Sequence, residues 1–139
     1  VKSKKNALLA VDDNPFDLNA IRSMLEHDYN LYLVTNTSDM ITVLERENID
    51  LILMDIVMPA IDGFQAVAML KKSKFADIPV IMVSGQTDFE DEYKAFECGA
   101  VDYIRKPFKK ELLIRRIELH LALHRNKHEA KTFTECLES

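Results

Sequence analysis

The sequence is short of several things, and each shortage removes a class of function. Its 18 lysines and arginines are outnumbered by 23 aspartates and glutamates, for a formal charge of -5. A surface that grips nucleic acid needs clustered positive charge, so no nucleic-acid contact is expected of this segment. The 2 cysteines, Cys98 and Cys136, stand in no metal-ligand or redox spacing, and no disulfide is expected in a chain that otherwise reads as cytosolic. No apolar run approaches the ~20 residues that span a bilayer, and no apolar signal region opens the chain. Neither an internal repeat nor a Gly/Ser-rich linker divides it. What remains is 139 residues, 47% hydrophobic and 29% charged, enough for one domain with a real core. The expectation is a soluble cytoplasmic protein without membrane contact. Val1 rather than Met comes first, which fits a processed product or an excised segment, and Lys2 to Lys5 read as a solvated basic leader.

What is present is an alternation of apolar runs and helical stripes. Ala7 to Val11 is a buried strand followed at once by Asp12, Asp13, Asn14 and Pro15, where Pro suits a first helical turn and the acids and amide cap it. Leu18, Ile21 and Leu25 form that helix's inner stripe. Leu31 to Thr35 is a second strand, and Asn36, Thr37 and Ser38 open a helix with Met40, Val43 and Leu44 inward. Leu51 to Met54 ends in Asp55 and then in turn residues, the pattern of a strand buried on both faces. Phe64, Val67 and Leu70 mark a third helix closed by Lys71 and Lys72. Pro79 to Ser84 is a fourth strand, Phe89, Tyr93 and Phe96 stripe a fourth helix stopped by Gly99, and Val101 to Ile104 is a short fifth strand. A long last helix starts near Lys110. Strands alternating with helices at these spacings require right-handed crossovers, hence a doubly wound α/β fold with a parallel sheet.

In a parallel sheet every strand ends at the same edge, where ligands bind. Asp12 and Asp13, Asp55, Ser84 and Lys106 each follow or close a different predicted strand, so they gather there. Carboxylates held that close repel one another unless a cation sits among them, and oxygen ligands of this kind suit Mg²⁺. A lysine and a hydroxyl beside them supply the countercharge and the donor that a phosphoryl group on one carboxylate would need.

Val11-Asp12-Asp13-Asn14, Leu53-Met54-Asp55-Ile56-Val57-Met58-Pro59, Asp62-Gly63, Val83-Ser84-Gly85 and Gly99 through Pro107 together make the sequence resemble a receiver domain of the two-component response-regulator family. The resemblance runs from Ala7 to about Leu121. It implies a flavodoxin-like five-stranded sheet of order 2-1-3-4-5 and a cis peptide at Lys106-Pro107. It also implies that Asp55 accepts a phosphoryl group from a sensor histidine kinase, a phosphotransfer protein or a small phosphodonor. Asp13 would bind Mg²⁺, or Mn²⁺ in its place, directly; Asp12 would act through metal-bound water and Val57 through its backbone carbonyl, with Lys106 neutralising the phosphoryl oxygens. Ser84 and Tyr103 would form the switch, the hydroxyl moving to the phosphoryl group and the ring turning into the vacated space. That reshapes the face made by the fourth helix, fifth strand and fifth helix. The implied protein is a signalling switch that catalyses its own phosphorylation and dephosphorylation, not an enzyme acting on a separate substrate.

Some positions depart from the family pattern. Ala60 stands where glycine is frequent, Gly85 where alanine is, and Val57 and Gln86 flank the water approach, Gln86 being able to orient water where Val57 cannot. Residues 6–125 read as the receiver and 126–139 as a helical extension toward an output domain. Leu112, Leu119, Asn126 and Phe133 alternate with Arg116, Leu123, Ala130 and Leu137 in heptad register, the pattern of a helix that pairs with a second copy. His120, His124 and His128 share one helical face but lack a carboxylate or cysteine set, and read as solvent-exposed rather than as a metal site. Two other classes fit less well. A phosphohydrolase would need an acid two residues after Asp55, where Val57 stands; a flavin carrier would need a hydroxyl- and glycine-rich loop after the first strand, where Asp12 and Asp13 would repel phosphate. A receiver reduced to a binding module would not need the full acid, hydroxyl and lysine set.

Overall fold

The structure, a computed structural model, describes residues 5–58, 61–85 and 89–138, with 89–90 and 127–138 described by backbone alone. Strands and helices alternate strictly: β1 (Ala7–Val11), α1 (Pro15–Leu25), β2 (Asn30–Val34), α2 (Thr37–Arg46), β3 (Leu51–Asp55), α3 (Gly63–Lys71), β4 (Val80–Ser84), α4 (Phe89–Glu97), β5 (Asp102–Arg105) and α5 (Lys110–Glu138). All strand pairs are parallel, in the order β2-β1-β3-β4-β5 expected from the resemblance.

The continuous apolar runs of β1, β3 and β4 exist because these strands are covered twice. Successive side chains point to opposite faces. Leu9, Val11, Ile52, Met54 and Met82 therefore meet Met40 and Leu44 of α2, Val67 and Leu70 of α3 and Ala95 of α4. Leu8, Ala10, Leu51, Leu53 and Val83 meet Leu18, Ile21 and Leu25 of α1 and Leu113, Ile117 and Leu121 of α5. Burying one such aliphatic side chain contributes about 1.5–3 kcal/mol, and both layers are built from them.

Helix starts follow their local chemistry. The Asn14 side chain accepts from the Phe16 amide at the head of α1, with Pro15 in the first turn. Asn36 accepts from Asp39 at α2, and Asp62 and Gln65 bond each other's backbone amides in a capping box at α3. Gly99, at φ 109, turns the chain out of α4. One helix departs from its expected face. Tyr93 and Phe96 are 67% and 49% exposed, whereas Ala95 between them is fully buried. The aromatic spacing is helical, but the side chain that packs into the layer beside α3 is the small Ala95. The Phe89 side chain lies outside the described residues.

Candidate functional site

The carboxyl edge of the sheet holds most of the polar residues that the sequence directs there. Asp55 is the last residue of β3 and pairs in register with Val83; Val11, which pairs with Met54, leads directly into Asp12. One carboxylate oxygen from each of Asp12, Asp13 and Asp55 lies within 4.8 Å of the other two. Asp12 and Asp55 are buried, at 1% and 6% exposure, and Asp13 is exposed. Converging oxygens of this kind fit a divalent cation. Among the described residues no other group of acids, histidines or cysteines converges in this way.

Lys106 follows β5, its peptide to Pro107 is cis, and its amide donates to the Ser84 carbonyl at 2.7 Å. Its ammonium group reaches Asp17 Oδ2 at 2.6 Å, Asp12 Oδ2 at 2.8 Å and Asp55 Oδ1 at 3.4 Å. Burial alone would lower the Lys106 pKa, but the hydrogen bonds to Asp12 and then Asp17 outweigh it and hold the group charged. Asp55 goes the other way: burial, followed by the charge of Asp12, pushes its carboxyl up to about 6 against the pull of Lys106.

Ser84 is fully buried at the end of β4. Gly85 follows it, and a Cβ there would meet nothing within 4 Å, so the chain after Ser84 is open. Tyr103 is 8% exposed, registered against Met82 and packed in the α2–α3–α4 layer. Val57 lies two residues past β3 and is 55% exposed. Pro59, Ala60 and Gln86 lie outside the described residues, so the expectations for Ala60 and Gln86 have no counterpart here.

The structure adds two features that the motifs do not signal. Asp17 sits in the first turn of α1 and makes the shortest contact to Lys106. Its place one turn into a helix that starts at the sheet edge was the available cue. At the opposite edge, Asp102 opens β5 with 6% exposure and accepts from Arg116 Nη1 at 3.0 and 2.9 Å. His120 Nε2 lies 2.9 Å from the same carboxylate with its side chain only 11% exposed. The solvent-exposed reading of His120 is thereby corrected: the i, i+4 spacing of Arg116 and His120 aims both at Asp102. Burial would raise the Asp102 pKa, yet the bonds from His120 and Arg116 hold it below the ordinary carboxylate value. The His128 side chain lies outside the described residues.

Fold and site together define a receiver. The model of the response regulator receiver domain matches residues 8–118, and the chain belongs to that family. It is 37% identical over 117 residues to Protein PilH of Pseudomonas aeruginosa, covering 83% of this chain and 97% of that one. It is 36% identical over 121 residues to a probable cyclic di-GMP phosphodiesterase of Vibrio cholerae, covering 86% of this chain but 27% of that protein. The heme response regulator HssR of Staphylococcus aureus is likewise matched over only 48% of its length. Among solved structures, a CheY-like receiver from Methanospirillum hungatei superposes with a TM-score of 0.81 at 25% identity, covering 89% of this chain and 99% of that one. The BeF3-activated DrrB receiver domain gives 0.77 at 25% identity, covering 85% and 98%. Among the described residues no helix is long and apolar enough to cross a membrane.

Proposed function

We propose that the protein is a phosphorylation-controlled switch in which Asp55 accepts a phosphoryl group from the phosphohistidine of a kinase or phosphotransfer protein. An Asp55 oxygen attacks phosphorus in line as the P–N bond breaks, and the departing imidazole keeps the electron pair and takes a proton. Phosphoryl transfer asks mainly for positioning and charge neutralisation. The observation that carries the reading is the meeting of Asp12, Asp13 and Asp55 within 4.8 Å with an ammonium group in contact with two of them. Mg²⁺ held by Asp12, Asp13, Asp55 and the Val57 carbonyl would supply positive charge to the equatorial oxygens. Lys106 holds a second positive charge beside Asp55, and the Ser84 hydroxyl is the donor for a phosphoryl oxygen. Tyr103, one strand over from Ser84, is the ring that reads its position. Phe16, 83% exposed at the head of α1 beside the site, offers an apolar contact to the phosphodonor.

The signal leaves by the face formed by α4, β5 and α5. Residues 6–125 serve as the receiver and 126–139 lead toward an output domain or a second copy. Support comes from α5 itself: its 29 residues run about 43 Å, past the end of the family match at residue 118. Leu112, Leu119 and Leu123 stand 46%, 49% and 53% exposed along it. The decisive experiment is incubation with Mg²⁺ and a small phosphodonor such as phosphoramidate. The expected product is an acid-stable, hydroxylamine-labile phosphoprotein that is absent with Asp55→Ala. Label that persists in that variant would assign the chemistry elsewhere.

A further inference from the structure

We infer that Asp17 is a positioning residue that retains Lys106 when the acidic triad turns to a divalent cation, and so sets the cation affinity of the site. The inference rests on the phosphoacceptor reading of that site. Lys106 has three N–H donors and faces three carboxylates, those of Asp12, Asp17 and Asp55. Two of these three belong to the converging triad, Asp12 and Asp55; Asp17 does not. The metal-facing acids and the lysine thus share partners, and Asp12 and Asp55 cannot give the same oxygens to a cation and to Lys106 at full strength.

When Asp12 and Asp55 direct their oxygens to a cation, Lys106 loses much of two attractions and feels the repulsion of a nearby positive ion. Asp17 is then the carboxylate that keeps the ammonium group paired. Its contact is already the shortest of the three, and its side chain, 32% exposed, lies toward solvent compared with Asp12 at 2% and Asp55 at 8%. Lys106, 16% exposed, is too enclosed for water alone to replace a lost partner without cost. The lysine therefore moves outward along a track that Asp17 defines. Without Asp17 it stays on the triad and competes with the cation.

The test is a double-mutant cycle read by calorimetric titration with MgCl₂ on the whole protein. Asp17→Asn keeps the size and the helical position and is expected to raise the Mg²⁺ Kd by about three- to five-fold, the effect of losing one partly exposed ion pair. In a Lys106→Met background the same substitution is expected to change Kd by less than about two-fold, because the group it acts through is gone. Asp17→Glu, which keeps the charge, is expected to restore at least part of the affinity. An equal loss in both backgrounds would show Asp17 acting as a general negative charge and overturn the inference; so would an unchanged Kd in Asp17→Asn. Absence of Mg²⁺ binding by the unsubstituted protein would instead remove the phosphoacceptor reading on which the inference rests.

Discussion

Asp55 is the most strained charge at the sheet edge. In an unfolded chain its carboxyl loses its proton near 3.8; in the fold it does so at about 6, because burial and then Asp12 oppose ionisation. Between those values the folded state holds the extra proton, so the contribution of Asp55 to stability declines as pH rises through the window and stays low above it. Two units correspond to about 3 kcal/mol at most, a net effect in which the opposing pull of Lys106 is already counted. Asp55→Asn is therefore expected to stabilise the Mg²⁺-free protein by about 1–3 kcal/mol at pH 7, with the gain shrinking toward pH 4. Urea unfolding at the two pH values measures this, and an equal or larger gain at pH 4 would contradict it. Asp12, Asp13, Asp55 and Lys106 were legible in the sequence because each adjoins an apolar run whose end the sheet must place at one edge. Asp17 was not, since its partner lies 89 residues away and no strand precedes it directly. Its role depends on how α1 leaves the sheet.

At the scale of elements, α3 holds Asp55 in place. The Gly63 amide donates to the Ile56 carbonyl at 2.8 Å, so the helix start is stitched to the backbone just after β3. A Cβ on Gly63 would stand 2.3 Å from the Asp55 carbonyl oxygen, 2.8 Å from the Met82 methyl and 2.9 Å from the Ile56 Cα. Two of those neighbours are backbone and cannot yield cheaply. Gly63→Ala is expected to cost about 1–3 kcal/mol by overpacking and to slow labelling of Asp55 as β3 and α3 separate. A thermal melt with parallel phosphodonor labelling measures both, and a variant with native melting and native rate would refute the account. The turn after β3 was readable from Asp62-Gly63, but the tightness of the approach was not; only packing reveals which glycine has no space. The α4 face failed for a related reason. Aromatic periodicity marks a helix, yet which stripe turns inward is set by the layer it meets, and here that layer accepts Ala95.

At the scale of the molecule, the strand order and both layers followed from strand–helix alternation and the family resemblance, because doubly covered strands leave little choice of arrangement. The assembly state did not, since apolar positions on α5 read the same whether they face a sheet or a second copy until the fold assigns them. Leu113, Ile117 and Leu121 face the sheet; Leu112, Leu119 and Leu123 do not. Replacing Leu119 and Leu123 together by Glu is expected to leave the melting temperature within a few degrees, since both are half exposed, and to abolish self-association of the phosphorylated protein in sedimentation. An unsubstituted protein that sediments as a monomer with and without phosphate would remove the second copy from the account.

β5 carries a cluster of charge at each end. Lys106 adjoins its carboxyl end, tied to Asp17, Asp12 and Asp55, and Asp102 opens its amino end, tied to Arg116 and His120 of α5. The strand between them is 4 residues long, about 13 Å. It is hydrogen-bonded to β4 along one side and contains no loop that could stretch. In mechanical terms β5 is a short strut with a pinned joint at either end. The acidic edge and the second and third turns of α5, through Arg116 and His120, are thus fastened to opposite ends of one rigid piece of backbone.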